Sequence, residues 1–297
     1  MVRALSDSLN IPADLLIREP DATYGEQEMP EVPLRQLVKA GWFNVKDAAS
    51  LSTADIVQRY LKPQSGPLYL RHTITYGTTP ETNKTNLRLW VGRVRELAKD
   101  TRRERGAWKP GTIDETFLVY VARFSWAESG PQLAKHFLAE KGIALVVLPA
   151  LPKTKLDGAA MLGDDSAPIL GLTIRNDRLD SFWFTLLHEL VHAWKHLSDP
   201  KTAITDESLE DEAEDDAKEA EANRLAKEAF IPKSSWKRSE AFLRPSAESI
   251  RALADKLSIS PAVIAGRLRK EKVGYSALSR LVGQGQVRRL FPDVKWS

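Results

Sequence analysis

The spacing of apolar residues changes character along the chain, and each change predicts an element. Arg3–Leu16 reads as a short helix, a turn at Asn10–Pro12 and a second helix start. A similar pattern returns at Arg251–Ile264, where Pro261 suits the first turn of the second helix because its missing N–H would have no partner there. Residues 18–33 are acidic and turn-prone, a linker. Leu34 to about Lys109 is expected to be mostly helical. Within it, Asn86–Arg105 places Leu87, Trp90, Val91, Val94, Leu97 and Ala98 at helical spacing, with Arg88, Arg93, Arg95, Lys99, Arg102, Arg103 and Arg105 around the remaining surface. Gly106–Gly111, with Trp108 and Pro110, marks a boundary. Beyond it, Thr116–Trp126 and Gly130–Lys141 predict helices, and Ile143–Leu148 a buried strand. Leu156–Leu162 and Ile169–Ile174 predict a hairpin across Gly163–Ser166. Asp180 and Ser181 cap a long apolar helix, Phe182–Leu197, and an acidic helix runs from about Asp206 to Phe230, stopping before Pro232. The second half is therefore helix–helix–strand–strand–strand–helix–helix, an α+β order. Three regions are expected: a remnant helix–turn–helix-like segment at 1–20, a helical region at 21–110, and the main domain with a helical C-terminal extension at 111–297.

Composition narrows the chemistry. The 297 residues contain no cysteine, which removes disulfides, thiolate metal sites and thiol catalysis, and fits a reducing compartment. Forty-three Lys and Arg against 40 Asp and Glu leave a net charge of +3, too balanced to imply nucleic-acid binding by itself. Residues 1–20 contain no continuous apolar stretch, and the longest apolar run, Ile143–Leu151, is far short of the ~20 residues of a membrane span. The expectation is a soluble cytoplasmic protein that does not engage a membrane. DNA contact through the Arg88–Arg105 surface or the N-terminal helix pair is a weaker alternative, since sixteen residues cannot seat a recognition helix on a core of its own.

Three of the five histidines are His188, His192 and His196, and the first two frame His188-Glu-Leu-Val-His192. Residues four apart share a helix face about 6 Å apart along the axis, so both imidazoles can reach one Zn²⁺ at ~2.0–2.1 Å. Glu189, roughly 100° around the helix, is placed to take a proton from a water polarised by the ion. Phe182, Phe184, Leu187, Leu190, Val191 and Trp194 make the helix apolar almost all round. Two histidines and a glutamate buried in it cost several kcal/mol unless they have partners, and one metal ion satisfies all three.

A catalytic zinc needs a third protein ligand. Lys195 and Ser198 stand where an HExxHxxGxxH extension would need glycine and histidine. His196 lies ~12 Å from His188 along one straight helix, too far to share the ion. The ligand must come from another element, as in gluzincins, where a glutamate on the next helix is followed four residues later by a group that steadies a ligating histidine. Between Asp206 and Glu221 there are ten acidic residues, and at Glu219-Ala-Glu-Ala-Asn223 the run turns alanine-rich. Glu219 as ligand with Asn223 behind it is the preferred assignment. Glu221, rotated about 200° from Glu219, is the alternative ligand, because both cannot bind one ion.

These residues resemble the ImmA/IrrE family of metallopeptidases. The likeness rests on Asp180–His192, on Glu219–Asn223 leading to Phe230-Ile-Pro232, on Asp157-Gly158 with Ile169–Ile174, and on Ile264–Glu271 followed by Tyr275. It spans roughly residues 115–282, while Met1 to about Pro20 resembles the tail of a HigA-type helix–turn–helix domain whose earlier helices are missing. The resemblance implies a gluzincin-like zincin core, a small mixed or antiparallel sheet packed on the HExxH helix and a ligand helix. It implies one Zn²⁺ held by His188, His192 and Glu219, with Glu189 as general base and Asn223 supporting a ligand. It implies a protein substrate, often a helix–turn–helix repressor cut to derepress a stress, mobile-element or toxin–antitoxin operon. A peptide adding as a strand to the edge of the Leu156–Ile174 hairpin would bring its carbonyl to the ion. Tyr275, His196 and Arg175 are candidate oxyanion stabilisers. The competing reading is a non-catalytic, zinc-stabilised regulator or antitoxin, in which a protein group closes the fourth metal position.

Overall fold

The computed structural model describes residues 32–43, 52–61, 68–72, 83–101, 104–197 and 212–296. The helix pair expected at 3–16, the linker (apart from Val32 and Pro33), Arg102, Arg103 and the start of the acidic run at 206–211 lie outside them. In chain order the elements are α1 (Leu34–Lys39), α2 (Thr53–Tyr60), β1 (Leu68–His72), α3 (Lys84–Asp100), α4 (Glu115–Arg123) and α5 (Gly130–Glu140). β2 (Ala144–Val147), β3 (Leu156–Leu162) and β4 (Pro168–Leu172) follow, then α6 (Leu179–Lys195) and α7 (Glu212–Phe230). The chain closes with α8 (Lys233–Trp236), α9 (Glu240–Leu243), α10 (Ala247–Leu257) and α11 (Pro261–Leu268).

The strands form one sheet in the order β1-β3-β4-β2. β3 is antiparallel to both β1 and β4, whereas β2 runs parallel to β4, so the sheet is mixed. The strand at 68–72 is a departure from the helical reading of residues 34–109. Five residues carry too little alternation to announce a strand, and pairing with β3 is what fixes it. Val32–Ser297 groups into one compact unit.

Both faces of β2, β3 and β4 are covered, which is why these strands read as largely continuous apolar runs. Successive residues point to opposite faces. Leu145 and Val147 join Ala160, Leu170 and Leu172 in a core with α6, while Ala144 and Val146 join Ala159, Met161 and Ile169 in a core with α3. On the α3 side, the fully buried Trp90 donates its Nε1–H to the carbonyls of Leu148 and Pro149, at 3.2 and 3.1 Å. Its ring fills the space over Gly171, where a Cβ would stand 2.5 Å from Trp90 Cη2.

Several basic residues on and just past α3 have partners within the fold. Arg93 pairs with Glu96, as does Arg59 from α2. Arg105 donates to the carbonyls of Ala98 and Gly142, and Lys99 pairs with Asp164 at 2.7 Å. Three of the basic residues expected there as a nucleic-acid contact, Arg93, Lys99 and Arg105, thus have intramolecular partners.

α6 begins at Leu179, earlier than its apolar pattern indicates, with Asp180 in its first turn rather than as the cap. There Asp180 accepts from Arg178 Nε and Nη2 at 2.9 and 3.1 Å, and its charge opposes the helix dipole favourably. Past α11 the helix runs on as a π-helical turn over Arg269–Val273, and the chain then continues in short turns. It crosses the entrance to α6, where Gly285 donates to the Asp177 carbonyl and the backbone N–H groups of Val287 and Arg288 donate to Asp177 Oδ1. α10 and α11 meet at Ser258, φ +53°, giving the helix pair expected at 251–264. No helix among the described residues is long and apolar enough to cross a membrane.

If Trp90 anchors α3 to the sheet, Trp90→Ala leaves a large void and should cost about 3–5 kcal/mol in urea unfolding. A loss under 1 kcal/mol would show that α3 is not held this way.

Candidate metal centre

α6 is pressed between the sheet and α7. Of its residues, Phe182, Trp183, Leu186, Leu187, Leu190 and Val191 are buried, and so are His188, Glu189 and His192, at 0, 0 and 1% exposure. α7 supplies its own small and apolar side, Ala222, Leu225, Ala226 and Phe230. Close approach of the two helices brings Glu219, partly exposed at 35%, onto the histidines.

Three donor atoms converge. His188 Nε2 and His192 Nε2 are 3.0 Å apart, and Glu219 Oε1 lies 2.9 Å from His192 Nε2 and 3.3 Å from His188 Nε2. Two donors bound to a tetrahedral ion at ~2.0–2.1 Å are about 3.3 Å apart, so these separations fit one small cation. Among the described residues, His188, His192 and Glu219 form the group of this kind that could hold a metal ion. Burial pushes the Glu219 carboxyl up, but hydrogen bonds and charge from His188 and His192 outweigh it and hold the group well below the ordinary carboxylate range.

Glu189 stands against the sheet. A Cβ on Gly158 of β3 would be 2.6 Å from Glu189 Oε1 and 2.7 Å from Thr185 Cγ2, so the bare glycine lets the carboxylate lie where it does. Directly across the sheet, Gly158 faces Arg71 of β1 and Leu172 of β4.

The other predicted residues fall elsewhere. Glu221 is not brought to the three donors; its Oε2 lies 3.3 Å from His196 Nε2. His196, at the C-terminal end of α6, sits behind His192, with Nδ1 2.9 Å from His192 Nδ1, and so does not face the donor group as an oxyanion stabiliser would. Burial and neighbouring His192 push the His196 imidazole down in spite of Glu221, which favours its neutral form. Asn223 stands on α7 one turn past Glu219, and the group 2.9 Å from the far nitrogen of His192 is His196 Nδ1. Arg175 is 3.3 Å from Asp157 in an ion pair. Tyr275 is mainly exposed, at 62%, with Arg269 over its ring. It borders a cavity of about 310 Å³ that Asp157, Phe184 and Lys270 also line, and the Phe184 ring is 6.2 Å from that of His188. The hairpin has no open edge, because β1 takes one side and β2 the other. A peptide cannot add there as expected, and the outer strands of the sheet are β1 and β2.

The placement of His196 between His192 and Glu221 was not legible in the sequence. An i, i+4, i+8 row of histidines on one helix was the available signal, but the approach of Glu221 comes from the neighbouring helix.

Two outcomes follow. Zinc added to metal-free protein should raise the melting temperature, by an amount equivalent to about 2.7 kcal/mol at a hundredfold excess over Kd, and a chelator should reverse it. His188→Ala should abolish the response; a response retained in that variant would place the ion elsewhere. Separately, Gly158→Val should destabilise the fold by about 1–3 kcal/mol through overpacking against Glu189 and Thr185, read as a lowered melting temperature. An unchanged melting temperature would contradict the close approach.

Residues 142–269, from β2 to just past α11, match the model of the peptidase M78 family, described as the IrrE N-terminal-like domain. Curated proteins and solved structures give no match to the chain. The matched stretch contains β3, α6 and α7, and with them all three donors and Glu189, and its similarity is to a metallopeptidase domain.

Proposed function

We propose that the protein is a zinc-dependent endopeptidase that cuts a partner protein, a helix–turn–helix transcriptional repressor, and so derepresses a stress, mobile-element or toxin–antitoxin operon. The observation that carries the peptidase reading is the convergence of His188 Nε2, His192 Nε2 and Glu219 Oε1 within 3.3 Å, on the same helix as a buried glutamate. The repressor as substrate rests on the likeness to the ImmA/IrrE family.

When bound, zinc would supply Lewis acidity, lowering the pKa of a water towards ~7 and polarising the scissile carbonyl. His188 and His192 would bind through Nε2, which requires the proton of each ring to sit on Nδ1. Glu219 would bring the negative charge that makes the set selective for a cation. Glu189 would act as general base, taking the proton of the attacking water on a carboxylate oxygen and passing it to the departing amide nitrogen. Its burial against β3 keeps it from swinging into the ligand set. Of the three residues expected to steady the developing oxyanion, Tyr275 is the one whose side chain is mainly exposed and borders a cavity beside Phe184. Arg175 and His196 are engaged with Asp157 and with His192 and Glu221.

The competing reading is a regulator in which zinc holds the domain together without turnover, and it needs a fourth protein ligand. The metal-capable group found among the described residues has three donors, which favours the enzyme.

The test is incubation with a helix–turn–helix repressor offered as substrate. Glu189→Gln should retain zinc and lose cleavage by about 10²–10⁴-fold. Cleavage at the wild-type rate by Glu189→Gln would exclude this mechanism, and a regulatory phenotype that survives the substitution would favour the non-catalytic reading.

A further inference from the structure

The metal-facing side of His192 is accounted for by the proposed zinc; its far side is not. Nδ1 of His192 points to Nδ1 of His196 at 2.9 Å, the two rings being 4.9 Å apart and tilted by 57°. On the other side of His196, Nε2 is 3.3 Å from Glu221 Oε2. His196 is buried at 7% exposure and Glu221, which is also 3.6 Å from Arg224, faces solvent in part.

Two imidazole nitrogens facing each other at 2.9 Å need one proton between them, so their roles are linked. If His192 offers the lone pair of Nε2 to a metal, its proton is on Nδ1 and is donated to His196. His196 Nδ1 is then an acceptor, its own proton is on Nε2, and the partner of that proton is the Glu221 carboxylate. One carboxylate at the protein surface therefore dictates the tautomer of two successive rings, and the last of them presents a bare nitrogen to the ion.

We propose that His196 and Glu221 are positioning residues for the metal ligand His192, a carboxylate–imidazole relay that fixes its tautomer and ring orientation. The inference rests on the metallopeptidase reading and adds to it the group that makes the second histidine a ligand rather than a buried imidazole of undecided tautomer. Metal-ligating histidines commonly donate their second ring N–H to a carboxylate or carbonyl. Here an interposed histidine carries that contact from α7 to a ring the carboxylate does not itself reach. Glu221, singled out by sequence as a rival ligand, acquires a use two links away from the ion.

The experiment is a zinc-affinity measurement by competition with a chromophoric chelator on the full chain, with circular dichroism confirming that each variant is folded. His192→Ala should abolish binding. His196→Leu, which keeps bulk but provides no acceptor, should raise Kd about 10–100-fold. His196→Asn, whose amide oxygen can accept from His192 Nδ1, should recover most of that loss, which mere filling of space would not explain. Glu221→Ala, a partly exposed change that tests the outer link even if His196→Leu does not fold, should weaken binding in the same direction by a smaller factor. A folded His196→Leu or Glu221→Ala with the wild-type Kd overturns the relay while leaving the metal site standing. A wild-type chain that binds no zinc overturns the metal site, and the relay with it.

Discussion

Two imidazole nitrogens and a carboxylate oxygen held within 3.3 Å of one another are the constraint on which the rest of the structure depends. Without an ion, lone pairs pointed at each other repel, and any proton placed among them must be shared at the expense of solvation lost on burial. A divalent cation resolves the conflict in one step, because all three groups then face opposite charge. The fold around the site holds that crowded arrangement in place. α6 is fixed by its apolar residues against the sheet, by Asp180 and Arg178 at its start, and by the C-terminal chain hydrogen-bonded to Asp177. α7 approaches through alanines, so that Glu219 reaches the histidines.

The same packing separates the jobs of the acidic residues. Glu189 lies against the sheet, in the space a side chain at Gly158 would fill. Glu219 completes the donor set from the neighbouring helix. Glu221, two residues on, turns to His196. Glu219 and Glu221 on one helix thus have different histidine partners, and the difference arises from helical rotation.

Much of this was legible in the sequence because helical periodicity is a local property. Spacing of four made His188 and His192 co-facial, the apolar pattern located α6 and the three strands β2, β3 and β4, and the change from acidic to alanine-rich sequence picked out Glu219. What was hidden depends on contacts distant along the chain. β1 is five residues long and exists through its pairing with β3, 84 or more positions further on. Arg93, Lys99 and Arg105, on and just past α3, look like part of a solvated basic face until Glu96, Asp164 and the carbonyls of Ala98 and Gly142 are found beside them. Asn223 has the right spacing from Glu219, yet the ring that faces the far nitrogen of His192 is that of His196, since spacing sets the face of a helix but not which neighbour occupies it.

The account is tested most directly by zinc K-edge X-ray absorption on the loaded protein. It predicts one ion with two imidazole nitrogens and a carboxylate oxygen at about 2.0–2.2 Å, and a fourth light scatterer that exogenous small ligands can replace. A shell of four protein ligands that no small ligand alters, or a spectrum without two imidazoles, would contradict it.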